Sequence, residues 1–493
     1  MQFFKKQPIF LLLFVIFFCL HGYAENIGAI KLIDIGKVAL AITVFIIVLF
    51  FTIYFLKKNI LFSALATVFI ATWFFFFGAL HDFVKAYSWL YLIKPYSIFL
   101  PILITFTLLW IYLLHKKIIS VHKLTLFLNV LFVCYCIIDI SNILLSTKIK
   151  PSGYLPLNFN NASITNKPNI FLILADGYPG QKSLRDSFQF ENNLFTNFLQ
   201  AQSFSIINTT ANYNLTTFSM ASLLNMTYVK NDYNANAVSQ KIHQVRYKDI
   251  NNATIFKLAK NMGYSLHNNS IFNVDNVSST ALDNNFVLGN SMLLTDKILI
   301  NRLNKEVGMA LPMLVQKYVP FVRDQSPLAH RNYNERAISN LQKIAEAKFD
   351  EKPKFCYTHL IMPHGPYYYD SLGNQNNYKE ITAPFAWMDK TKFLAYLKYT
   401  NSLLKNILLD IKTKQPNAII ILLSDHGFRE YNNDNYTFQP SHFNNFCAIY
   451  SPTNQSQYQN KTLTNVNFFR LLLNVEFNQT LPYLSDSIIN VVN

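Results

Sequence analysis

Five long apolar runs fill the first 147 residues, and nothing else in the chain restricts its folding as strongly. They span residues 8–22, 38–56, 60–80, 96–114 and 124–145. A helix rises 1.5 Å per residue, so crossing a hydrocarbon core of about 30 Å takes about twenty apolar residues. The last four runs have that length and are predicted to be transmembrane helices. The first is shorter. It follows Lys5 and Lys6 and precedes Gly22-Tyr23-Ala24, so it reads either as a fifth span or as a cleavable signal peptide.

Charge gives these helices a direction. Lys5/Lys6, Lys57/Lys58 and Lys116/Lys117/Lys123 occupy alternate loops, and the positive-inside rule places those loops in the cytoplasm. The opposite loops hold Lys31, Lys37, Lys85 and Lys94. The expectation is a multi-pass protein of the cytoplasmic (inner) membrane, with everything after about residue 147 extracytoplasmic, or periplasmic. Asp139 lies inside the last run, where a carboxylate marks either a functional group or a helix end near the interface. Of the formal charge of +16, these 147 residues carry +7. The remainder contains no run of Lys or Arg, which argues against a nucleic-acid partner. Five scattered cysteines form neither a disulfide framework nor a cysteine zinc site.

Residues 148–167 are polar, interrupted by Pro and Gly, and read as a linker. Beyond them, residues 168–493 change pattern. Asn169–Ala175 is a continuous apolar run ended by Asp-Gly, as expected of a buried parallel strand. Lys354–Ile361 and Ala418–Leu423 look alike, while Asn334–Phe349 and Asp389–Lys412 show helical spacing. Strands alternating with helices predict an α/β domain with a mostly parallel sheet and helices on both faces. Residues 225–335 are Asn-rich and give no order of elements.

Functional groups in such sheets collect beyond the carboxyl ends of the strands. Three predicted strands run into candidate ligands: Asp176-Gly177, Pro363-His364-Gly365-Pro366 and Ser424-Asp425-His426-Gly427. Two carboxylates and an imidazole from separate strands suit zinc or manganese. Singly the signals are weak, since Asp-Gly is most often a turn. Ser-Asp-His-Gly after a buried strand is more specific, because burying Asp beside His without a partner is costly.

The order of strand–Asp-Gly, a Thr-x-x-Ser segment, Pro-His-Gly-Pro-Tyr and Ser-Asp-His-Gly resembles the alkaline phosphatase/sulfatase superfamily. With membrane helices ahead of it, the chain is similar to phosphoethanolamine transferases and lipoteichoic acid synthases, which carry about five spans before an extracytoplasmic sulfatase-like domain. The resemblance implies Asp176, Asp425 and His426 as metal ligands, with Thr216 as both ligand and nucleophile. Thr216 is chosen because Ser219 follows at the third position; Thr217 stays open. His364 would contact the phosphoryl group or leaving oxygen, as would His442 unless it is an exposed loop residue. His359, inside a strand, reads as structural.

Two features depart from the pattern. Asp176 stands where the transferases usually have Glu, and Asp-Gly there is similar to phosphodiesterases. Formylglycine sulfatases need Cys or Ser in a Cys/Ser-x-Pro-x-Arg context, which neither Cys356 nor Cys447 offers. The resemblance therefore implies a metal-dependent phosphoryl-group transferase carrying Zn or Mn. Its donor would be a membrane phospholipid and its acceptor a cell-envelope glycan or glycolipid. A membrane-anchored phosphodiesterase, phosphatase or sulfuric-ester-hydrolase-like enzyme with the same site is the alternative. A catalytically silent binding protein is the reading of another class.

Overall fold

The structure, a computed structural model, describes residues 2–26, 30, 32–147, 159–160, 164, 166–230, 234–235, 238, 240–282, 292–295, 297–306, 326–347, 352–377, 380–381, 389–429 and 439–492. The chain divides into two compact units. The first comprises residues 1–149 together with 284–325, and the second comprises residues 150–283 and 326–493.

Apolar helices make up the first unit. Three of them, Asp34–Lys57, Tyr96–His115 and Val121–Leu145, are long and apolar enough to cross a membrane. The run at 60–80 is a bent pair, Ile60–Phe75 and Phe77–Lys85, which turns by 56° and gives a fourth span if counted as one. Asn59 caps its start by accepting from the Phe62 amide at 2.9 Å. The first apolar run folds as Phe10–Glu25, only 16 residues and so about 24 Å long, short of a full crossing. Thus the described helices supply three or four full spans where the sequence suggests about five. Asp139 is no frayed helix end: it is buried and faces His21 of the first apolar helix at 3.3 Å.

Residues 292–295 and 297–306, which fall inside the predicted 168–493 domain, group instead with the apolar helices. Within them, Leu294 packs at Gly22, and Lys297 and Arg302 both donate to Asp82 Oδ2, at 2.8 and 2.6 Å. Most of the predicted linker 148–167 lies outside the described residues.

The second unit is built on a six-stranded sheet. Its strands are β1 (Ile170–Ala175), β2 (Ser205–Ile206), β4 (Ser265–Asn269), β5 (Lys354–Leu360), β6 (Ile419–Leu423) and β8 (Cys447–Tyr450). They run in the order β2-β8-β6-β1-β5-β4. The four strands β6-β1-β5-β4 are parallel, and β8 and β2 add an antiparallel edge. A small second sheet joins β3 (Asn208–Thr210), β7 (Asn444–Asn445) and β9 (Thr462–Thr464).

All six residues of β1 are buried, because alternate side chains enter two different cores. Ile170, Leu172 and Leu174 face one core, shared with the helix Thr216–Asn225. Phe171, Ile173 and Ala175 face the other, beneath the helices Ser326–Glu346 and Lys390–Lys414. Covered faces explain the uninterrupted apolar runs, and each fully buried Leu, Ile or Phe contributes about 1.5–3 kcal/mol. The register Leu174↔His359 and Leu174↔Leu423 brings the three central strands to the same level, so their exits form one rim.

Candidate active site

That rim assembles the predicted ligands. Asp176, Asp425 and His426 are buried, and each can offer a ligand atom within 4.8 Å of the others. Chain turns hold them there. Gly177 takes a left-handed conformation (φ +67°), which turns the chain directly after Asp176 and lets its amide donate to Asp425 Oδ1 at 3.1 Å. The Asp425 carbonyl accepts from Ser219 Oγ at 2.6 Å and from Asn465 Nδ2 at 3.2 Å. Ser424 Oγ donates to the His426 carbonyl at 2.6 Å and accepts from the Tyr178 amide at 2.9 Å.

The two site histidines share one device. His426 Nδ1 lies 2.7 Å from the carbonyl of Gly427, and His364 Nδ1 lies 2.7 Å from that of Gly365. A carbonyl can only accept, so each Nδ1 carries a proton, and Nε2 is the ring nitrogen each leaves for the site. His426 Nε2 sits 3.4 Å from both Asp176 Oδ1 and Asp425 Oδ2, and 3.3 Å from Thr216 Oγ1. Burial, reinforced by the Arg429 charge, lowers the His426 pKa to about 3, so the ring is neutral at physiological pH.

Two buried carboxylates in contact cannot both hold their charge comfortably. Burial and the Asp176 charge push Asp425 above the ordinary carboxylate range. For Asp176 burial acts the same way, but His364, His359 and His426 outweigh it and hold the carboxyl well below its usual value. Asp176 Oδ1, Asp425 Oδ2 and His359 Nε2 are all buried without a hydrogen-bond partner. Orphaned acceptors around a doubly acidic cluster fit a divalent cation, for which Asp176, Asp425, His426 and Thr216 are the donors at hand.

Thr216 opens the helix Thr216–Asn225, whose amino end has no side-chain cap. First-turn amides and the helix dipole there favour an anion such as a phosphoryl oxygen. The structure separates the two candidate threonines. Thr216 turns to His426, while Thr217 Oγ1 pairs with His243 Nδ1 at 3.0 Å. Beside the cluster lies a cavity of about 350 Å³, lined by Gly177, His364, His426 and Arg429 on its polar side and by Tyr367, Phe393 and Phe428 on the other. Arg429 Nη2 is 3.4 Å from His364 Nε2.

His442 ends the short turn Pro440–His442, and its carbonyl accepts the Gly427 amide at 2.8 Å. Its ring does not line this cavity. His359 is buried within β5, 3.7 Å from Asp176 Oδ2. Its in-strand position was legible, but its place beside the ligands follows only from the register of β1 and β5. Arg429, three residues beyond His426, and His243 carried no sequence signal.

A family model described as Sulfatase matches residues 168–475. The chain belongs to the sulfatase family. It is an enzyme of the sulfatase-like type, one that handles phosphoryl or sulfuryl esters, and the buried Asp176, Asp425 and His426 could hold a divalent metal. No curated protein matches. Among solved structures, the zinc complex of the C-terminal periplasmic domain of EptC from Escherichia coli is 13% identical with a TM-score of 0.42, covering 69% of this chain and 90% of that one. The lipooligosaccharide phosphoethanolamine transferase A of Neisseria meningitidis, an integral membrane protein, is 12% identical with a TM-score of 0.39 and 95% of both chains covered. The phosphonate monoester hydrolase of Agrobacterium radiobacter is 12% identical with a TM-score of 0.38, covering 64% of this chain and 74% of that one.

Proposed function

We propose that the second unit is a metal-dependent phosphoryl-group transferase at the outer face of the cytoplasmic membrane. It moves a phospho-head group from a membrane phospholipid to a cell-envelope glycan or glycolipid through a phospho-Thr216 intermediate. The observation that carries this reading is the position of Thr216: its Oγ1 stands 3.3 Å from His426 Nε2, at an uncapped helix amino end. The two buried carboxylates of the cluster complete the setting.

Asp176, Asp425, His426 and Thr216 would hold Zn or Mn, which a set of carboxylate, imidazole and hydroxyl donors suits equally. Bound there, the cation supplies a lowered hydroxyl pKa and compensation of phosphoryl charge. The Thr216 hydroxyl releases its proton to water, and Oγ attacks phosphorus in line; the Thr–phosphorus bond forms as the donor ester bond breaks. His364 gives a proton to the departing oxygen and takes one from the acceptor hydroxyl in the second step, which frees Thr216. Arg429 and the first-turn amides stabilise the phosphoryl oxygens.

Sulfuric-ester hydrolysis by formylglycine is disfavoured, since Cys356 and Cys447 are both buried inside strands. Asp176-Gly177 supports water as an alternative acceptor, which would make the same site a phosphodiesterase. The test is intact-mass analysis of the metal-loaded full chain in detergent after mixing with phospholipid vesicles. An adduct is expected on wild type and on Thr217→Ala and none on Thr216→Ala. Equal adducts on both variants would defeat the assignment of Thr216, and turnover without any adduct would defeat the covalent mechanism.

A further inference from the structure

The helix Ser326–Glu346 begins beside the active site and puts one more imidazole there. Two of its residues dock onto the exit of β5, next to the ligands. Tyr333 Oη donates to the His359 carbonyl at 2.6 Å, and Asn334 exchanges two hydrogen bonds with Ile361, at 2.8 and 2.9 Å. The same end of the helix is tied to the loop that follows His364. Arg331 Nη1 donates to Gln375 Oε1 at 3.1 Å, and Tyr369 Oη donates to Glu335 Oε1 at 3.0 Å.

His330 lies three and four residues before Tyr333 and Asn334, hence one turn earlier on the same face. That face continues inward through the buried Ala337 and Leu341. One turn outward, it extends beyond the exit of β5, on the side where the strand runs on to His364. His330 is packed around by protein, which lowers its pKa, and is close enough to His364 and Asp176 for both to act on it electrostatically, yet unlike His359 and His426 its side chain keeps solvent access.

We propose that His330 is a further substrate-contacting residue, which donates a hydrogen bond to the ester substituent on the solvent side of the phosphorus. This rests on the phosphoryl-transfer reading above and adds the residue that recognises a diester rather than a bare phosphate. The reacting phosphoryl group is held deeper, by Thr216, His364 and Arg429. His330 engages what that group is attached to, so its loss affects phosphodiesters more than monoesters.

The experiment uses the metal-loaded full chain in detergent, with bis(4-nitrophenyl) phosphate and 4-nitrophenyl phosphate as probes. His330→Ala should raise KM for the diester about tenfold, the worth of one hydrogen bond, with a smaller change in kcat. KM for the monoester should move less, and His330→Gln, which keeps an N–H donor, should recover part of the loss. In parallel, diethyl pyrocarbonate modification is mapped by mass spectrometry with and without the diester. His330 should be modified in the free protein and protected by the diester. Diester KM within twofold of wild type in His330→Ala, or protection of His364 without protection of His330, would overturn the proposal and leave the parent reading standing. Wild type that neither turns over nor protects His364 would overturn both.

Discussion

Adding one methyl group at Gly427 should damage the site more than adding one at Gly177, although Gly177 has the unusual backbone. At Gly427 a Cβ would fall 2.0 Å from the Ser441 carbonyl oxygen and 2.6 Å from that of Asn444. An ordinary carbon–oxygen contact is about 3.3 Å, so two stretches of backbone must part by about 1.3 Å. The Gly427 amide that donates to the His442 carbonyl at 2.8 Å sits in this contact, as does the Gly427 carbonyl that fixes His426. Overpacking of about 1–3 kcal/mol plus about 1 kcal/mol for the hydrogen bond gives roughly 2–4 kcal/mol for Gly427→Ala. At Gly177 the nearest atom to a Cβ is His426 Cε1 at 3.5 Å, an ordinary contact. Only the φ of +67° is unfavourable there, which costs Ala about 1–2 kcal/mol. At about 2 °C per kcal/mol for a unit of this size, the expected falls in melting temperature are about 4–8 °C for Gly427→Ala and about 2–4 °C for Gly177→Ala. Differential scanning calorimetry of the full chain in detergent reads both, and elemental analysis reads metal, which Gly427→Ala should lose and Gly177→Ala retain in part. A Gly427→Ala protein that melts within 2 °C of wild type with full metal content would refute the packing argument, and so would a reversed order of the two variants.

Two further outcomes follow from burial and charge. Burial pushes the Cys356 thiol up to about 12 and raises Cys447 as well, so neither is a thiolate at pH 8. Native protein should therefore leave both unmodified by iodoacetamide at pH 8, with labelling only in denaturant; fast native labelling of either would contradict the sheet positions assigned to them. The alternation of Lys-bearing loops predicts that reporter fusions at residues 58, 90, 118 and 160 read inside, outside, inside, outside. A cytoplasmic signal at 160 would remove the envelope substrates from consideration.

The catalytic half was legible wherever chemistry coincides with a local pattern. Asp176, Asp425 and the Pro-His-Gly-Pro stretch each stand just past an apolar run, and a run of that kind ends where its covered sheet ends. The parallel register of the central strands then turns three separate sequence endings into one site. His330, His243 and Arg429 had no such signal, because their places depend on how a helix docks or on what a turn faces. His330 sits in Leu-Ala-His-Arg-Asn, which says nothing of β5 until Tyr333 and Asn334 are seen bonded to it.

The membrane half shows the same limit more sharply. Residues 60–80 form one uninterrupted apolar run, and hydropathy cannot divide it, yet the helix turns by 56° at Phe76. The cause lies more than 200 residues away in sequence. In a continuous helix the Gly78 amide would bond the carbonyl of residue 74; instead it donates to the Lys297 carbonyl at 2.7 Å. Only glycine permits this approach, since a Cβ there would lie 2.8 Å from Lys297 Cα. The Lys297 and Arg302 side chains then close on Asp82, one turn further along the second half-helix. Gly78 and Asp82 therefore act as one receiver for the returning segment. Taken alone they read as a small residue and a stray carboxylate in an apolar run, because their purpose is written in residues 297 and 302.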